Sequence, residues 1–376
     1  MAYCGDEGYR FGSGLGSEDT GQIQCARCVK NVLTVSVWLV MSRQTEDYPC
    51  IICSRRLPES GRPMSVTFDP DNLRASLLPL GIIDPLSPDG QAYQRFYGLG
   101  GLGGENVIRS WLGRLDVAGY EIVGQVWIPE NAVATLFLFH GFYDHMGLYR
   151  HVIEWALGQG FAVISCDLPG HGLSSGSRAS INDFAEYQAV LQQLLLEAQA
   201  LRLPQPWHLC GQSTGGAIVI DHLLNQGADS PAQGQVILLS PLVRPRAWGW
   251  SRLSYYLLKP FVTGIARRFT ENSNAPAFLP FLLADPLQPN RLPTAWVGAL
   301  AQWIVRIESA PRSTRSPLII QGEADMTVDW LHNLSVLKDK FSEPQILMLG
   351  PARHHLANEL PELRARYFDF LAERLR

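Results

Sequence analysis

The sequence predicts an α/β fold in which a mostly parallel sheet carries helices on both faces and a helical cap follows the sixth strand. Two observations support this prediction. Short apolar segments of strand type alternate with longer segments of helical spacing along most of the chain, as expected for parallel strands joined by crossover helices. Between residues 241 and 311 this alternation stops, which indicates an insertion into the core.

Residues 1–63 are predicted to be a poorly structured leader, and they hold five of the seven cysteines of the chain. Cys25-x-x-Cys28 and Cys50-x-x-Cys53 have the spacing of a four-thiolate zinc site. The run between the two pairs is unusually apolar for a small zinc ribbon. Zinc binding by the leader therefore stays open, and the reaction site predicted below requires no metal and no cofactor.

Residues 64–105 are rich in Pro and Gly and end in a glycine run, residues 98–104, that is predicted to be a flexible joint. No Gly-Lys-Ser or Gly-Lys-Thr follows this run, so it is not a phosphate loop. Residues 111–115 and 120–128 are predicted to form antiparallel edge strands before the core.

The alternating elements of the core follow in order, and residues 241–311 split them into a first core segment, 64–240, and a second, 312–376. The helix predicted from residue 181 has apolar positions that would pack on the sheet, with Ser180 and Asp183 as its capping box. Strands are predicted at 133–139, 161–166, 206–210, 235–240, 317–321 and 345–349, and helices at 146–159, 181–201, 214–226, 330–341 and 361–375.

Residues 211–215 read Gly-Gln-Ser-Thr-Gly, between a strand-type run and a helical segment. A serine on a sharp strand-to-helix turn presents its hydroxyl to a cleft, and the flanking glycines allow close backbone approach. A lone G-x-S-x-G occurs by chance, but this context makes Ser213 the candidate nucleophile.

A serine nucleophile needs a base and a carboxylate that orients the base, and both candidates follow in the order Ser, acid, His. The loop after strand 317–321 carries Asp325, our candidate acid, with Glu323 as the alternative; Asp329 is predicted to cap the next helix. The loop after strand 345–349 carries two adjacent histidines, 354 and 355, as candidates for the base.

An oxyanion hole is predicted from two backbone amides. Strand 133–139 ends in His140-Gly141, so the amide of Phe142 is one candidate donor, and the amide of Thr214, directly after the nucleophile, is the other. His140 itself is predicted to shape the loop rather than to take part in the chemistry.

These segments resemble the α/β-hydrolase superfamily and, within it, the monoacylglycerol lipase and lysophospholipase branch, also called serine aminopeptidase-like hydrolases. The resemblance covers residues 100–376 and rests on residues 140–149, 160–176 and 211–215. Residues 352–359 are similar to the terminal motif of the branch, in which the first His after Arg is the base. The resemblance therefore implies His354 as the base, while His355 stands where the branch often has Glu.

The composition argues against nucleic-acid binding and against a membrane-spanning segment. The chain has 376 residues and a net charge of −4, so it lacks the basic footprint of a nucleic-acid-binding protein. No apolar run reaches the ~20 residues that span a bilayer, and acidic residues stand where a signal peptide would be basic. We expect a cytoplasmic enzyme with transient membrane contact through the cap; the oligomeric state stays open.

The predicted function is hydrolysis of lipid-type carboxylic esters, such as monoacylglycerols or lysophospholipids, by a Ser213–Asp325–His354 triad. The segment 241–311 holds ten aromatic residues, which favours a hydrophobic acyl group, although most of them are expected to pack the cap on the core. The alternatives are an aminopeptidase or proline iminopeptidase, a thioesterase, and a noncatalytic binding protein on the same scaffold.

Overall fold

The computed structural model describes residues 67–102, 108–227 and 229–375. Within these ranges the strands lie close to their predicted positions, apart from a short pair inside the insertion. They are β1 (Ile108–Val117), β2 (Tyr120–Pro129), β3 (Ala134–Phe139), β4 (Phe161–Cys166), β5 (Trp207–Gln212), β6 (Val236–Leu239), β7 (Gly264–Ala266), β8 (Arg291–Pro293), β9 (Leu318–Gly322) and β10 (Gln345–Leu349).

The helices of the described ranges include two that the sequence did not predict, at the start. They are α1 (Pro70–Ser76), α2 (Pro88–Phe96), α3 (Arg150–Gly158), α4 (Ala185–Ala200), α5 (Thr214–Gln226), α6 (Trp248–Leu258), α7 (Phe278–Ala284), α8 (Thr294–Ser309), α9 (Trp330–Lys340) and α10 (Pro361–Ala372), with short 3-10 helices at Met146–Tyr149 and Leu356–Asn358.

Eight of these strands form one sheet, in the order β1-β2-β4-β3-β5-β6-β9-β10. β2 pairs antiparallel with β1 and with β4, and the other neighbours are parallel. Parallel strands end at a common edge, so the loops after β3, β5, β9 and β10 meet above it. The mostly parallel sheet predicted from the sequence is confirmed.

Side chains alternate across the sheet and fill a separate apolar cluster on each face. In β3, Leu136 and Leu138 pack with α2, α3 and α10. Phe137 and Phe139, on the other face, pack with α4, α5 and α9. Helices therefore cover both faces and hold the sheet edge that carries the candidate site.

The start of the described chain contains two helices that the sequence analysis did not predict. α1 and α2 both begin at a proline, after the capping side chains of Asp69 and Ser87. Leu99 and Leu102, within the glycine run, are buried. The end of the run belongs to residues 103–107, which lie outside the described ranges.

Helix α4 begins four residues later than predicted, and the prediction that Ser180 caps it was wrong. The amide of Ala185 donates to Asp183 Oδ1 (2.8 Å), and Glu186 Oε1 accepts the amide of Asp183 (3.1 Å). These two side chains satisfy the helix start, so the preceding residues stay in a turn.

The insertion between β6 and β9 is mainly helical, as predicted, and it also contains the antiparallel pair β7–β8. Its last helix, α8, is fixed to the core because Trp303 and Arg306 both donate to the buried Asp221 of α5 (3.1 and 2.7 Å). Four of its ten aromatic side chains are buried. Three are exposed: Trp250, Tyr256 and Phe261. Among all helices of the described ranges, none combines the length and apolar character needed to cross a bilayer.

Candidate active site

Ser213 occupies the turn between β5 and α5 with a φ of 53° and a ψ of −112°. A positive φ is strained for a residue with a side chain, and such strain is typical of a nucleophile turn. Glycines are required around it. A Cβ on Gly211 would lie 2.3 Å from the carbonyl carbon of Gly215, and a Cβ on Gly215 would lie 2.0 Å from the oxygen of Phe139.

Asp325 and His354 come together from the loops after β9 and β10. His354 Nδ1 lies 2.7 Å from Asp325 Oδ2, which also accepts Gln321 Nε2 (3.1 Å). Asp325 Oδ1 accepts the amides of Thr327 (2.8 Å) and Val328 (3.2 Å). A carboxylate only accepts, so this network assigns the ring proton to Nδ1 and leaves Nε2 of His354 as an acceptor.

The alternatives for the acid lie elsewhere. Glu323 is exposed, one residue beyond the end of β9. Asp329 caps α9, as predicted, because its Oδ1 accepts the amide of His332 (3.3 Å). Of the three acids in this loop, Asp325 is the one in contact with His354.

The buried Asp325–His354 pair favours the charged form of each member. Burial by itself lowers the pKa of His354, but the charge of Asp325 and the hydrogen bond to it outweigh burial, so this pKa lies above its usual 6.5. Burial raises the pKa of Asp325, but His354 and the two loop amides outweigh it and hold that pKa below its usual value. Asp325 therefore supports a positive charge on His354.

The loop that carries His354 is fastened to the insertion through Glu359, whose side chain is fully buried. Glu359 Oε1 accepts the amide of Arg353 (2.7 Å), directly before His354, and the side-chain amide of Asn274 (3.1 Å). Asn274 also donates to the oxygen of Pro351 (2.7 Å). The position of the imidazole is thus tied to the insertion segment before α7.

Ser213 and His354 line one cavity of about 320 Å³ at the carboxyl edge of the sheet. The insertion forms much of its wall. The apolar part of the wall includes Leu242, Leu292, Trp296 and Val328, and the polar part includes Tyr143, Asp144, Arg267, Asn272 and His355.

The two predicted oxyanion donors also line this cavity. A Cβ on Gly141 would lie 3.4 Å from Ser213 Cβ, so the chain leading into Phe142 passes beside the nucleophile turn. Thr214 is the first residue of α5, and the first amides of a helix have no partner within it. Tyr143 follows with a φ of 71°, a strained value for an aromatic residue.

His140 holds the loop after β3, as predicted. Its Nε2 accepts the amide of Leu168 (2.9 Å), and its Nδ1 lies 2.7 Å from the oxygen of Gly141. Burial lowers the pKa of His140 to about 3, so the ring is neutral at physiological pH. A neutral ring fits one donor and one acceptor contact.

Sequence reasoning missed Asp144, which lies in the segment 140–149 and faces the second histidine. His355 Nε2 lies 3.2 Å from Asp144 Oδ2, a close contact that lacks the geometry of a hydrogen bond. Tyr149 Oη donates to the same oxygen at 2.9 Å. Nearby His355 therefore holds the pKa of Asp144 well below its usual range, although burial alone would raise it.

No group of three or more His, Cys, Asp or Glu side chains in the described ranges is arranged to hold a metal ion. The cysteine pattern at residues 25, 28, 50 and 53 lies outside those ranges. Cys166 and Cys210, which are described, are buried free thiols in β4 and β5.

A strained serine turn, an Asp–His pair after the last two strands and a helical insertion over an eight-stranded sheet define the class of the α/β-hydrolases. The chain belongs to the serine aminopeptidase S33 family, whose profile matches residues 130–361. The monoglyceride lipase homologue of Monkeypox virus is 33% identical to it over 245 residues, or 61% of this chain and 85% of the viral protein.

Relatives from cellular organisms are similar to the chain as well. Mouse monoglyceride lipase is 28% identical over 260 residues, which cover 66% of this chain and 84% of the mouse protein. Two further relatives match over only 12% and 43% of their own length. The chain is thus an α/β-hydrolase of the serine aminopeptidase S33 family that is similar to monoglyceride lipases.

Solved structures confirm the fold. A soluble variant of monoglyceride lipase from Saccharomyces cerevisiae superimposes with a TM-score of 0.61 at 17% identity, covering 71% of this chain and 95% of the yeast chain. At such low identity the likeness establishes the α/β-hydrolase fold alone.

Proposed function

We propose that the protein hydrolyses carboxylic esters of lipid type through an acyl-enzyme, with Ser213, His354 and Asp325 as the triad. The observation that carries the proposal is the 2.7 Å contact between His354 and Asp325 at the cavity that Ser213 lines. Asp325 fixes the tautomer that leaves Nε2 of His354 free to accept the hydroxyl proton of Ser213.

In the first half-reaction Ser213 Oγ attacks the ester carbonyl and His354 takes its proton. The carbon–oxygen bond to the alcohol then breaks, and His354 returns the proton to the departing alcohol. In the second, His354 activates a water molecule that releases the fatty acid and regenerates Ser213. The amides of Phe142 and Thr214 would stabilise the oxyanion in both steps.

An apolar acyl group suits the cavity wall. The rings of Phe142 and Trp296 stack with centroids 3.7 Å apart, and Leu242, Leu292 and Val328 extend the same apolar surface. Burying an acyl chain there would contribute roughly 0.8 kcal/mol per methylene. This wall supports a lipid-type ester, such as a monoacylglycerol or a lysophospholipid.

An aminopeptidase with the same triad is less well supported, because a free amine needs an uncommitted acid near the nucleophile. The three acids of the insertion already have partners: Glu271 pairs with Arg353, Asp285 with His145 and Glu308 with Arg244. The cavity wall contributed by the insertion carries arginine instead. A thioesterase would need the same cavity and triad, and only substrate comparison separates it from an esterase.

We also propose that the insertion touches lipid surfaces through α6. Exposed apolar side chains follow the helical spacing of α6 and continue beyond it; they are Trp250, Leu253, Tyr256, Leu257 and Phe261. Arg252 and Lys259 are exposed among them. An exposed apolar helix face bordered by cations is typical of contact with a membrane interface.

The test is Ser213→Ala measured on a monoacylglycerol, a thioester and an aminoacyl anilide, with Ser309→Ala, an exposed serine of α8, as the control. Ser213→Ala should abolish ester hydrolysis and leave the melting temperature within a few degrees of wild type. Ester hydrolysis that survives in Ser213→Ala, or wild-type activity confined to the anilide, would refute the proposal.

A further inference from the structure

Arg267 is an arginine of the cavity wall that binds only neutral oxygens. Its Nη1 donates to Gln288 Oε1 (2.8 Å) and to the backbone oxygen of Pro289 (3.1 Å). Arg244, Arg306 and Arg353 pair with acids, whereas Arg291 of the insertion, like Arg267, donates to a backbone oxygen. Among the described residues, no carboxylate lies within ion-pair distance of Arg267.

Aromatic rings hold the Arg267 guanidinium in place. Its Cζ lies 4.1 Å from the ring centroid of Tyr143 and 4.2 Å from that of Phe269. Tyr143 has a positive φ and follows Phe142, the candidate oxyanion donor. The guanidinium therefore lies against the loop that passes beside Ser213. The two rings hold its orientation in the absence of a ligand.

The nearest acid of the cavity wall is already occupied. Asp144 contacts His355 Nε2 (3.2 Å) and accepts the hydroxyl of Tyr149 (2.9 Å). Asp144 is the one acid among the described residues that line this cavity. Burial disfavours the charge of Arg267, and Asp144 and Asp285 offset this only from beyond ion-pair distance, since both acids have closer partners. An anion entering the cavity would supply a direct counter-charge.

We propose that Arg267 is a specificity-determining residue that binds an anionic phosphate on the alcohol part of the ester. The inference rests on the proposed function and deepens it. The planar guanidinium can present two parallel N–H groups to phosphate oxygens, which a neutral glycerol cannot match. The substrate class is then an acyl ester of a phosphorylated alcohol rather than a neutral monoacylglycerol.

The experiment compares two monomeric esters with the same acyl chain, 1-hexanoylglycerol and 1-hexanoylglycerol 3-phosphate, so that lipid-surface charge plays no part. Wild type should show a kcat/KM at least tenfold higher for the phosphorylated ester. Arg267→Gln should lower the ratio of the two kcat/KM values by about tenfold or more, and Arg267→Lys should retain part of it, since lysine keeps the charge without the fork. Arg366→Gln, at an exposed position of α10, is the control and should leave the ratio unchanged.

An inhibition measurement on the wild type tests the inference even if Arg267→Gln fails to fold. Glycerol 3-phosphate should inhibit hydrolysis of p-nitrophenyl butyrate competitively, and glycerol at the same concentration should not. A ratio that Arg267→Gln leaves unchanged, or equal inhibition by glycerol and its phosphate, would overturn the inference. A hexanoyl phosphodiester added as a third substrate separates a monoester subsite from one that accepts any phosphate.

Failure of this inference is distinct from failure of the proposed function. If Ser213→Ala abolishes turnover of both esters while the wild type ignores the phosphate, only the role of Arg267 is wrong. If both esters are hydrolysed equally well without Ser213, the proposed triad is wrong.

Discussion

The carboxyl edge of the sheet and the α6 region of the insertion are built in opposite ways. At the sheet edge, Asp325 accepts four hydrogen bonds and Glu359 accepts backbone amides on both sides of the base. In α6 only Trp248 is buried, and large apolar side chains face outward. The proposed reacting groups are therefore held by many hydrogen bonds, whereas the proposed lipid-contact surface is exposed.

Substitution of the proposed base, His354, should have the largest effect. His354→Ala should reduce kcat by roughly 10⁴-fold, because the serine hydroxyl then loses its proton acceptor. Steady-state kinetics on a soluble ester, with His332→Ala on α9 as the control, checks this. Turnover within tenfold of wild type would show that another group acts as the base.

The rigidity of the sheet edge depends on Glu359. Glu359→Ala should destabilise the fold by about 3 kcal/mol, because several buried amides lose their acceptor. Thermal unfolding measures the loss. Glu362→Ala, at the exposed start of α10, is the matched control and should stay near wild type. Equal stability of the two variants would mean that Glu359 does not fasten the base loop.

The Asp325–His354 pair also determines how kcat/KM and stability depend on pH. His354 works as a base only when unprotonated, and Asp325 raises its pKa above 6.5. The kcat/KM for a neutral ester should therefore fall as the pH is lowered, with a midpoint above 6.5. The two shifts have matching effects on stability. The contribution of His354 is complete below pH 6.5 and is lost as the pH rises through its raised pKa, whereas the contribution of Asp325 is present above its usual pKa and is lost as the pH falls through its lowered value. A rate profile with its midpoint below 6.5 would contradict the pairing.

We expect the smallest effect on kinetics from substitutions of the exposed apolar side chains in and just after α6. Leu257→Ser with Phe261→Ser should raise KM for a vesicle-borne ester about tenfold, because the apolar contact with the lipid is lost. The kcat at saturating lipid should change far less. Vesicle co-sedimentation provides the binding measurement, with Val133→Ser, an exposed apolar residue outside the insertion, as the control. Unchanged binding in the double variant would remove α6 from the lipid contact.

The fold was largely predictable from the sequence because its core elements are strongly periodic. The helices α1 and α2 were not predicted, because they are short and begin at proline, where the capping side chains of Asp69 and Ser87 define their starts. Ser180 was misassigned because its spacing fits a capping box that Asp183 and Glu186 provide instead.

The site was predictable only where residue order carries information. Ser213, Asp325 and His354 follow strands in a recognisable order, and the structure brings the acid and the histidine into contact. Contacts between loops that are far apart in the chain define the surroundings of Asp144, Arg267 and Glu359. Periodicity and local motifs contain no signal for such contacts.

Labelling with a fluorophosphonate, followed by peptide mapping, tests whether His354 and Asp325 activate Ser213, because the probe reacts with a serine that a base activates. We expect a single label on Ser213 in the wild type and a loss of labelling in His354→Ala and Asp325→Ala. Labelling of a different residue, or equally fast labelling of Ser213 in both variants, would contradict it.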